Sequence, residues 1–189
     1  MNGLKTIKSQ QLVEGMNSDI SKASVTCANC YDGKNARKPF PKASSRRASA
    51  PLEYIHSDLC GEIKPTSMGG GKCFLTLIDD FSRYTWVYIL KSKDQTFSKF
   101  KEWKSLVEKQ YDGVVKVLRS DNGGEYISRE FENFLKENGI RHETTVPKTP
   151  QQNGVAERKN RTVEEAVRCM LSDSQVDKRF WAEAVSTAV

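Results

Sequence analysis

Residues 72–90, KCFLTLIDDFSRYTWVYIL, contain two runs rich in aromatic and β-branched side chains, Lys72–Ile78 and Tyr84–Leu90. Such residues favour β-strands because they pack well on a pleated, half-buried surface. The segment between the runs, Asp79–Ser82, has the polar composition of a turn. The stretch therefore predicts a β-hairpin with two antiparallel strands.

Strand and helix patterns alternate outward from this hairpin. The predicted strands are Tyr54–Ile63, the two hairpin runs, Val114–Leu118 and Ile140–Val146. The predicted helices cover Phe97–Val107, the segment from Ser128 to Gly139, Val155–Leu171 and Lys178–Val189. Short loops join the first three strands, which favours antiparallel pairing, whereas intervening helices favour parallel pairing of the others. We therefore predict an α/β fold with a mixed five-stranded sheet flanked by helices.

The composition excludes several classes of protein. Of the 189 residues, 37% are hydrophobic and 29% charged, which is typical of a soluble globular domain. The longest apolar stretches are too short to cross a bilayer, and the N-terminus lacks the pattern of a secretory signal. We therefore expect a nuclear or cytoplasmic protein without a membrane partner. The net charge of +6 is compatible with a polyanionic partner but does not prove one.

The first 50 residues differ from the rest. Residues 1–33 are polar and contain Cys27 and Cys30, the only cysteine pair at the spacing of metal ligands. Residues 34–50 carry six lysines and arginines and no acidic residue. This segment is either an extended linker or an arm that contacts nucleic acid. The packed domain is predicted to span residues 51–189.

Three acidic residues occupy positions that favour chemistry. Asp58 lies within a predicted strand, where aspartate is rare. Asp121 ends the fourth strand, and ligands of open α/β sheets gather at strand carboxyl ends. Glu157 lies in the first turn of a helix, and 35 residues separate it from Asp121. Singly, each has a plainer explanation: a strand end, an Asx turn with the following Asn-Gly-Gly, and a favourable helix-dipole position.

Taken together, the three carboxylates match the needs of two-metal phosphoryl transfer. That chemistry requires hard oxygen ligands holding two ions about 3.5–4 Å apart. Asp58 on a central strand could bridge both ions, while Asp121 and Glu157 could each hold one. Gly123 and Gly124 would let the backbone approach a phosphate closely.

Four segments resemble the integrase of copia-type long-terminal-repeat retrotransposons. They are PLEYIHSDLCG at 51–61, LIDDFSRYTWV at 77–87, RSDNGGEY at 119–126 and TPQQNGVAERKNRT at 149–162. The resemblance implies a ribonuclease H-like fold, with Asp58, Asp121 and Glu157 as the catalytic triad and two Mg²⁺ or Mn²⁺ ions as cofactors. It also implies trimming of element DNA ends, joining of the freed 3′ hydroxyl to target DNA, and assembly into homo-multimers.

Further residues near the triad are candidates for DNA contact. Arg161 lies one helical turn after Glu157, and Lys159 and Asn160 lie on a neighbouring face. Gln152 and Asn153 belong to the preceding polar loop. The alternatives are an exposed Glu–Arg ladder on the helix and a merely solvated loop.

Four other polar residues are assigned structural roles. His56 and His142 lie in predicted strands, where a histidine is more often structural than catalytic. His56 shares the side-chain parity of Asp58 and is the better site candidate of the two. Asp79 and Asp80 are interpreted as turn residues.

The resemblance also implies that Cys27 and Cys30 form half of an N-terminal zinc-binding region. No histidine precedes Cys27. Structural zinc needs four ligands, so we expect no stable zinc. We expect residues 1–33 to be a truncated zinc-binding-like region. An apolar face from Phe180 to Val189 leads us to expect a core that is truncated at its C-terminus, as in a fragment of a polyprotein.

Three functional hypotheses follow. The chain is an active integrase core, a catalytically incompetent DNA-binding remnant of a transposable element, or a ribonuclease H-type nuclease, because this fold hosts several chemistries. The 35-residue spacing and the Gln-Asn-Gly loop favour the first.

Overall fold

The computed structural model describes residues 47–145 and 153–189. The predicted zinc-binding-like region with Cys27 and Cys30, most of the basic linker, and Gln152 lie outside these described residues. The predicted domain boundaries at 33 and 50 are likewise not tested.

A mixed five-stranded sheet forms the centre of the domain, as predicted. Its strands are β1 (Tyr54–Cys60), β2 (Cys73–Asp79), β3 (Thr85–Leu90), β4 (Val117–Ser120) and β5 (Arg141–Thr144). They lie in the order β3-β2-β1-β4-β5. The β1–β2 and β2–β3 pairs are antiparallel, whereas β1–β4 and β4–β5 are parallel. Helices connect the parallel strands because such a crossover needs a long connection.

The helices are α1 (Gln95–Gln110), α2 (Arg129–Glu137), α3 (Gly154–Ser174) and α4 (Trp181–Ala188), with a 3₁₀ turn at Lys178–Phe180. Ser128 caps α2 as predicted, since its side-chain oxygen accepts a hydrogen bond from the Phe131 amide at 3.3 Å. Gly139 follows α2 with a φ of 66°, a conformation that glycine adopts without strain.

Two strands begin or end three residues away from the predicted position. The first strand stops at Cys60 rather than Ile63, because Gly61 has a φ of 125° and cannot continue the strand. The fourth strand runs over Val117–Ser120 rather than Val114–Leu118. Its pairing with β1 begins at Tyr54 and Val117, and the side chain of Val114 is exposed. This shift carries the strand directly to Asp121.

The two faces of the sheet have different cores. One face packs against α1 and α2 through a large aromatic and aliphatic cluster that includes Phe100, Trp103 and Phe131. The opposite face packs against α3 and α4 through a smaller cluster that includes Phe74, Val163 and Trp181. The smaller core covers the β2–β3 side of that face.

The apolar C-terminal segment is largely buried, contrary to the expectation of an exposed apolar face. Trp181, Ala184 and Val185 pack against α3 and the sheet, and only Phe180 and Val189 expose about 40% of their surface (41% and 39%). The expectation was wrong because the sequence pattern indicates an apolar face but does not indicate that α3 and the sheet cover it. No helix among the described residues is long and apolar enough to cross a membrane.

Candidate active site

Asp58 lies in the middle of the central strand, on the face that α3 covers. It pairs with Thr76 of β2, and its Oδ2 accepts a hydrogen bond from the Asn160 side chain at 2.8 Å. Burial, together with repulsion from Asp121 and Glu157, raises the pKa of Asp58 to about 6. The sheet therefore holds a carboxylate whose ionised form lacks compensating positive charge.

Asp121 immediately follows β4, beside β1. Its Oδ1 accepts a hydrogen bond from the Gly123 amide at 2.9 Å, which makes the Asx turn that the Asn-Gly-Gly sequence favours. The turn uses one carboxylate oxygen. The Asx turn and a ligand role are thus compatible, because each oxygen can serve one of them.

The two glycines after Asp121 differ in their surroundings. A Cβ built on Gly123 would lie 2.8 Å from the Glu125 carboxyl group, whereas one on Gly124 would meet nothing within 4 Å. Gly123 thus permits a tight local turn. The backbone at Gly124 is open to an approaching group, as the sequence predicted.

Glu157 lies in the first turn of α3 and is half-buried. Burial raises the pKa of its carboxyl group, Arg161 and Arg158 oppose the shift, and Asp121 adds to it. Arg161 therefore lies close enough to Glu157 to interact with it, as their spacing of one helical turn predicted. Among residues 47–145 and 153–189, the structure contains no group of three His, Cys, Asp or Glu side chains that could hold a metal ion.

Asn160 and Asn153, which were predicted to contact DNA, are both largely buried. Asn160 is 6% exposed and lies on the buried stripe of α3, between Ala156 and Val163. Asn153 is 2% exposed, and its side-chain amide donates to the Ser57 carbonyl at 3.4 Å. Asn160 thus lies on the packed side of α3 and Asn153 at the N-cap of that helix, and their contacts with DNA stay predictions.

Lys159 and Arg161 keep the predicted access to solvent, and the structure adds two further cations. Lys159 lines a groove of about 240 Å³ with Arg158 and Arg83, while Arg161 is exposed on the same helix. Sequence reasoning missed Arg83 and Arg158. Arg158 follows Glu157 directly and could have been included, but Arg83 reaches the groove only through the β2–β3 turn.

The two histidines have structural partners. His56 Nε2 lies 2.9 Å from Asp80 Oδ1. His142 bridges two elements, with Nδ1 2.6 Å from Glu132 of α2 and Nε2 2.9 Å from Ser120 of β4. Burial lowers the pKa of His56, against the opposing effect of Asp80. These contacts agree with the prediction that both histidines are more often structural than catalytic.

A separate cavity of about 520 Å³ lies between α3, α4 and residues 63–65. Its lining is mainly apolar, and Asp58, Asp121 and Glu157 do not line it. We therefore do not assign it to the candidate active site.

Comparisons with known proteins agree with this arrangement. The family model described as "Integrase core domain" matches residues 48–150, more than half of the chain. The retrovirus-related Pol polyprotein from transposon TNT 1-94 of Nicotiana tabacum is 54% identical over 162 residues, 86% of this chain and 12% of that protein. The corresponding polyprotein from transposon RE2 of Arabidopsis thaliana is 38% identical over 165 residues, 87% of this chain and 11% of that protein.

Solved structures show the same fold. A chain of the simian T-cell lymphotropic virus intasome in complex with PP2A regulatory subunit B56 gamma has a TM-score of 0.63 and 22% identity, covering 85% of this chain and 56% of that one. The HTLV-2 integrase catalytic core domain in complex with magnesium has a TM-score of 0.55 and 23% identity, covering 75% and 85%. The domain therefore has the ribonuclease H-like fold of retroviral integrase cores.

The matched segment includes both Asp58 and Asp121, and the similarity to the transposon polyproteins extends over most of the chain. The chain therefore belongs to the integrase core domain family, and it is similar to the Pol polyproteins of these plant retrotransposons.

Proposed function

We propose that this chain is the catalytic core of a retrotransposon integrase, a polynucleotidyl transferase that trims element DNA ends and joins them to target DNA. The chain spans only 11–12% of the curated relatives named above, so the activity of the whole protein is part of the proposal. The observation that carries it is Asp58, a mid-strand carboxylate with a raised pKa, beside Asp121 in a chain of this family.

The three carboxylates suit Mg²⁺ or Mn²⁺, which prefer hard oxygen ligands. Asp58, Asp121 through the oxygen that its Asx turn does not use, and Glu157 from α3 would hold the ions. Bound ions would supply Lewis-acid chemistry, which would activate an attacking oxygen and stabilise a leaving oxygen. A cation would also relieve the mutual repulsion that helps raise the pKa of Asp58.

The cations around the site support DNA as the substrate. Arg158 and Arg161 are exposed on α3, and Lys159 faces the groove that Arg83 also lines. Lysine and arginine side chains at such positions bind phosphates and orient the duplex without reading its sequence. We propose that they hold element or target DNA across the carboxylates.

Assembly and location are also proposals. The related HTLV-2 core has been solved in dimeric and trimeric forms, and the simian viral chain belongs to an intasome. We propose that the complete protein acts as a homo-multimer in the nucleus and cytoplasm. The absence of stable zinc at Cys27 and Cys30 stays a prediction.

One incubation separates the functional hypotheses. The protein is mixed with Mg²⁺ or Mn²⁺ and a labelled terminal-repeat duplex, and in parallel with an RNA–DNA hybrid. Joining of the duplex end to another DNA supports the proposal. Hybrid cleavage without joining would indicate a ribonuclease H-type nuclease, and binding without chemistry would indicate a DNA-binding remnant.

Matched variants test the assignment of the site. Asp121→Asn is compared with Asp112→Asn, which changes an exposed aspartate in the loop after α1. We expect Asp121→Asn to abolish metal-dependent joining and Asp112→Asn to retain it. Unchanged joining by Asp121→Asn would refute the assignment.

A further inference from the structure

Thr76 places a hydroxyl group on a fully buried strand. All seven residues of β2 are buried, and Thr76 itself is 0% exposed. Its neighbours on the same face of the strand are Phe74 and Ile78. A buried hydroxyl is costly unless it is hydrogen-bonded, so its partners are informative.

The hydroxyl has two acceptors nearby, both on other elements of the domain. Thr76 Oγ1 lies 2.9 Å from the side-chain oxygen of Asn160 in α3 and 3.2 Å from the backbone oxygen of Asp58 in β1. Asn160 in turn donates from Nδ2 to Asp58 Oδ2 at 2.8 Å. Side chains from β2, α3 and β1 thus form a continuous chain of hydrogen bonds.

The chemistry of Asp58 determines which way the Asn160 amide faces. An ionised carboxylate only accepts hydrogen bonds, so the amide must present its nitrogen to Asp58. The amide oxygen then faces Thr76 and needs a donor, which the hydroxyl supplies. In a buried site, an amide oxygen without a donor would cost about 1–3 kcal/mol.

We propose that Thr76 is a positioning residue of the candidate metal site, acting through Asn160 to fix one oxygen of Asp58 and leave the other for an ion. This inference rests on the proposed metal-dependent function. Asn160 lies three residues after Glu157, so the same contact fixes the rotation of α3 that aims Glu157 at the site. Groups that orient metal ligands typically change metal affinity by 10–100-fold when they are removed.

Two substitutions at Thr76 isolate the hydroxyl. Thr76→Val keeps the branched shape and removes the donor, whereas Thr76→Ser keeps the donor. We expect Thr76→Val to weaken Mn²⁺ binding by about tenfold or more, and Thr76→Ser to remain near wild type. Mn²⁺ affinity is measured by calorimetry on the full chain, and strand joining is measured as a function of Mn²⁺ concentration.

Thr96→Val is the matched structural control. Thr96 is also a buried threonine, at 1% exposure, and its hydroxyl donates to the Lys93 carbonyl at 2.7 Å at the start of α1. We expect Thr96→Val to lower the free energy of unfolding without changing Mn²⁺ affinity. If both valine variants lose Mn²⁺ affinity in proportion to stability, Thr76 has only a structural role.

A double-mutant cycle keeps the test decisive if stability also changes. Because Thr76 is proposed to act through Asn160, the losses of Mn²⁺ affinity in Thr76→Val and Asn160→Ala should not add in the double variant. Normal Mn²⁺ binding by folded Thr76→Val would overturn this inference alone. A wild-type protein that neither binds Mn²⁺ nor joins DNA would overturn the proposed function and this inference with it.

Discussion

Two pairs of acidic residues on this sheet differ in how fully their oxygens are satisfied. Asp79 accepts hydrogen bonds from the Leu52 amide at 2.9 Å and from the Ser82 amide and hydroxyl at 2.8 and 2.6 Å. Asp80 accepts from the Ala48 amide at 2.8 Å and contacts His56 and Arg83. By contrast, one side chain, Asn160, donates to Asp58, and the Gly123 amide donates to Asp121.

The difference also appears in the electrostatics. Burial alone would raise the pKa of Asp80, but its hydrogen bonds to Ala48 and His56 and its attraction to Arg83 lower it. Burial, together with repulsion from Asp121 and Glu157, raises the pKa of Asp58 to about 6. A buried acid whose oxygens accept several hydrogen bonds stabilises a turn, whereas an acid with fewer donors beside another acid is suited to bind a cation.

The largest effect is expected from removing the charge of Asp58, which forms the less hydrogen-bonded pair with Asp121. Asp58→Asn should lower the rate of metal-dependent strand joining by about 10³-fold or more, since metal ligation contributes several kcal/mol to catalysis. Its metal-free stability should stay the same or rise, because the variant removes repulsion between carboxylates. Joining assays and urea unfolding measure the two effects, and near-wild-type joining would contradict the comparison.

The opposite pattern is expected for Asp79 and Asp80, the saturated pair, whose oxygens accept several hydrogen bonds. Asp79→Asn places an amide nitrogen where one carboxylate oxygen now accepts hydrogen bonds. It should therefore lower the free energy of unfolding by about 2–3 kcal/mol, a typical value for hydrogen bonds to a charged group. Joining per folded molecule should remain close to wild type. A stable but inactive Asp79→Asn protein would show that the two pairs do not differ in role.

A pH dependence follows from the raised pKa of Asp58. Below the ordinary value of 3.8 the acid is neutral in both the folded and unfolded states. As the pH rises from 3.8 to about 6, the unfolded state loses this proton first, so the metal-free folded state loses stability. The loss should be about 3 kcal/mol, since each pKa unit corresponds to about 1.4 kcal/mol.

Urea unfolding of wild type and Asp58→Asn at pH 4 and pH 7 measures this contribution. The difference in stability between the two proteins should change across this range, and Mg²⁺ at pH 7 should stabilise only the wild type. An unchanged difference would mean that the pKa of Asp58 is not raised.

The smallest effect is expected at the basic groove. Lys159→Gln should weaken DNA binding several-fold and lower the slope of log affinity against log salt by about 1, because a phosphate contact releases about one counterion. Lys101→Gln is the control, since Lys101 is exposed on α1 and lies 4.2 Å from the Phe97 ring centroid. Equal effects of the two substitutions would indicate a general charge effect.

Local patterns were sufficient to predict the sheet and the positions of the three acids. An aspartate within a strand, an Asp-Asn-Gly-Gly strand end and a glutamate in a helix first turn are each visible within about ten residues. The Gly61 boundary was missed because a left-handed φ depends on how the chain meets the neighbouring Cys73 backbone.

The role of Asn160 could not be predicted in the same way. Its partners Thr76 and Asp58 are 84 and 102 residues away in sequence, so no local pattern distinguishes it from an exposed polar residue. The pairing of His56 with Asp80 was missed for a similar reason, because the β2–β3 turn folds back onto β1.

Anomalous diffraction from crystals of the full chain soaked in Mn²⁺ tests the central claim most directly. We predict anomalous density in contact with Asp58 and Asp121, with Glu157 as a further ligand, and no Mn²⁺ at Asp79 or Asp80. Absence of density at Asp58 and Asp121 under saturating Mn²⁺, or density at the saturated pair instead, would contradict it.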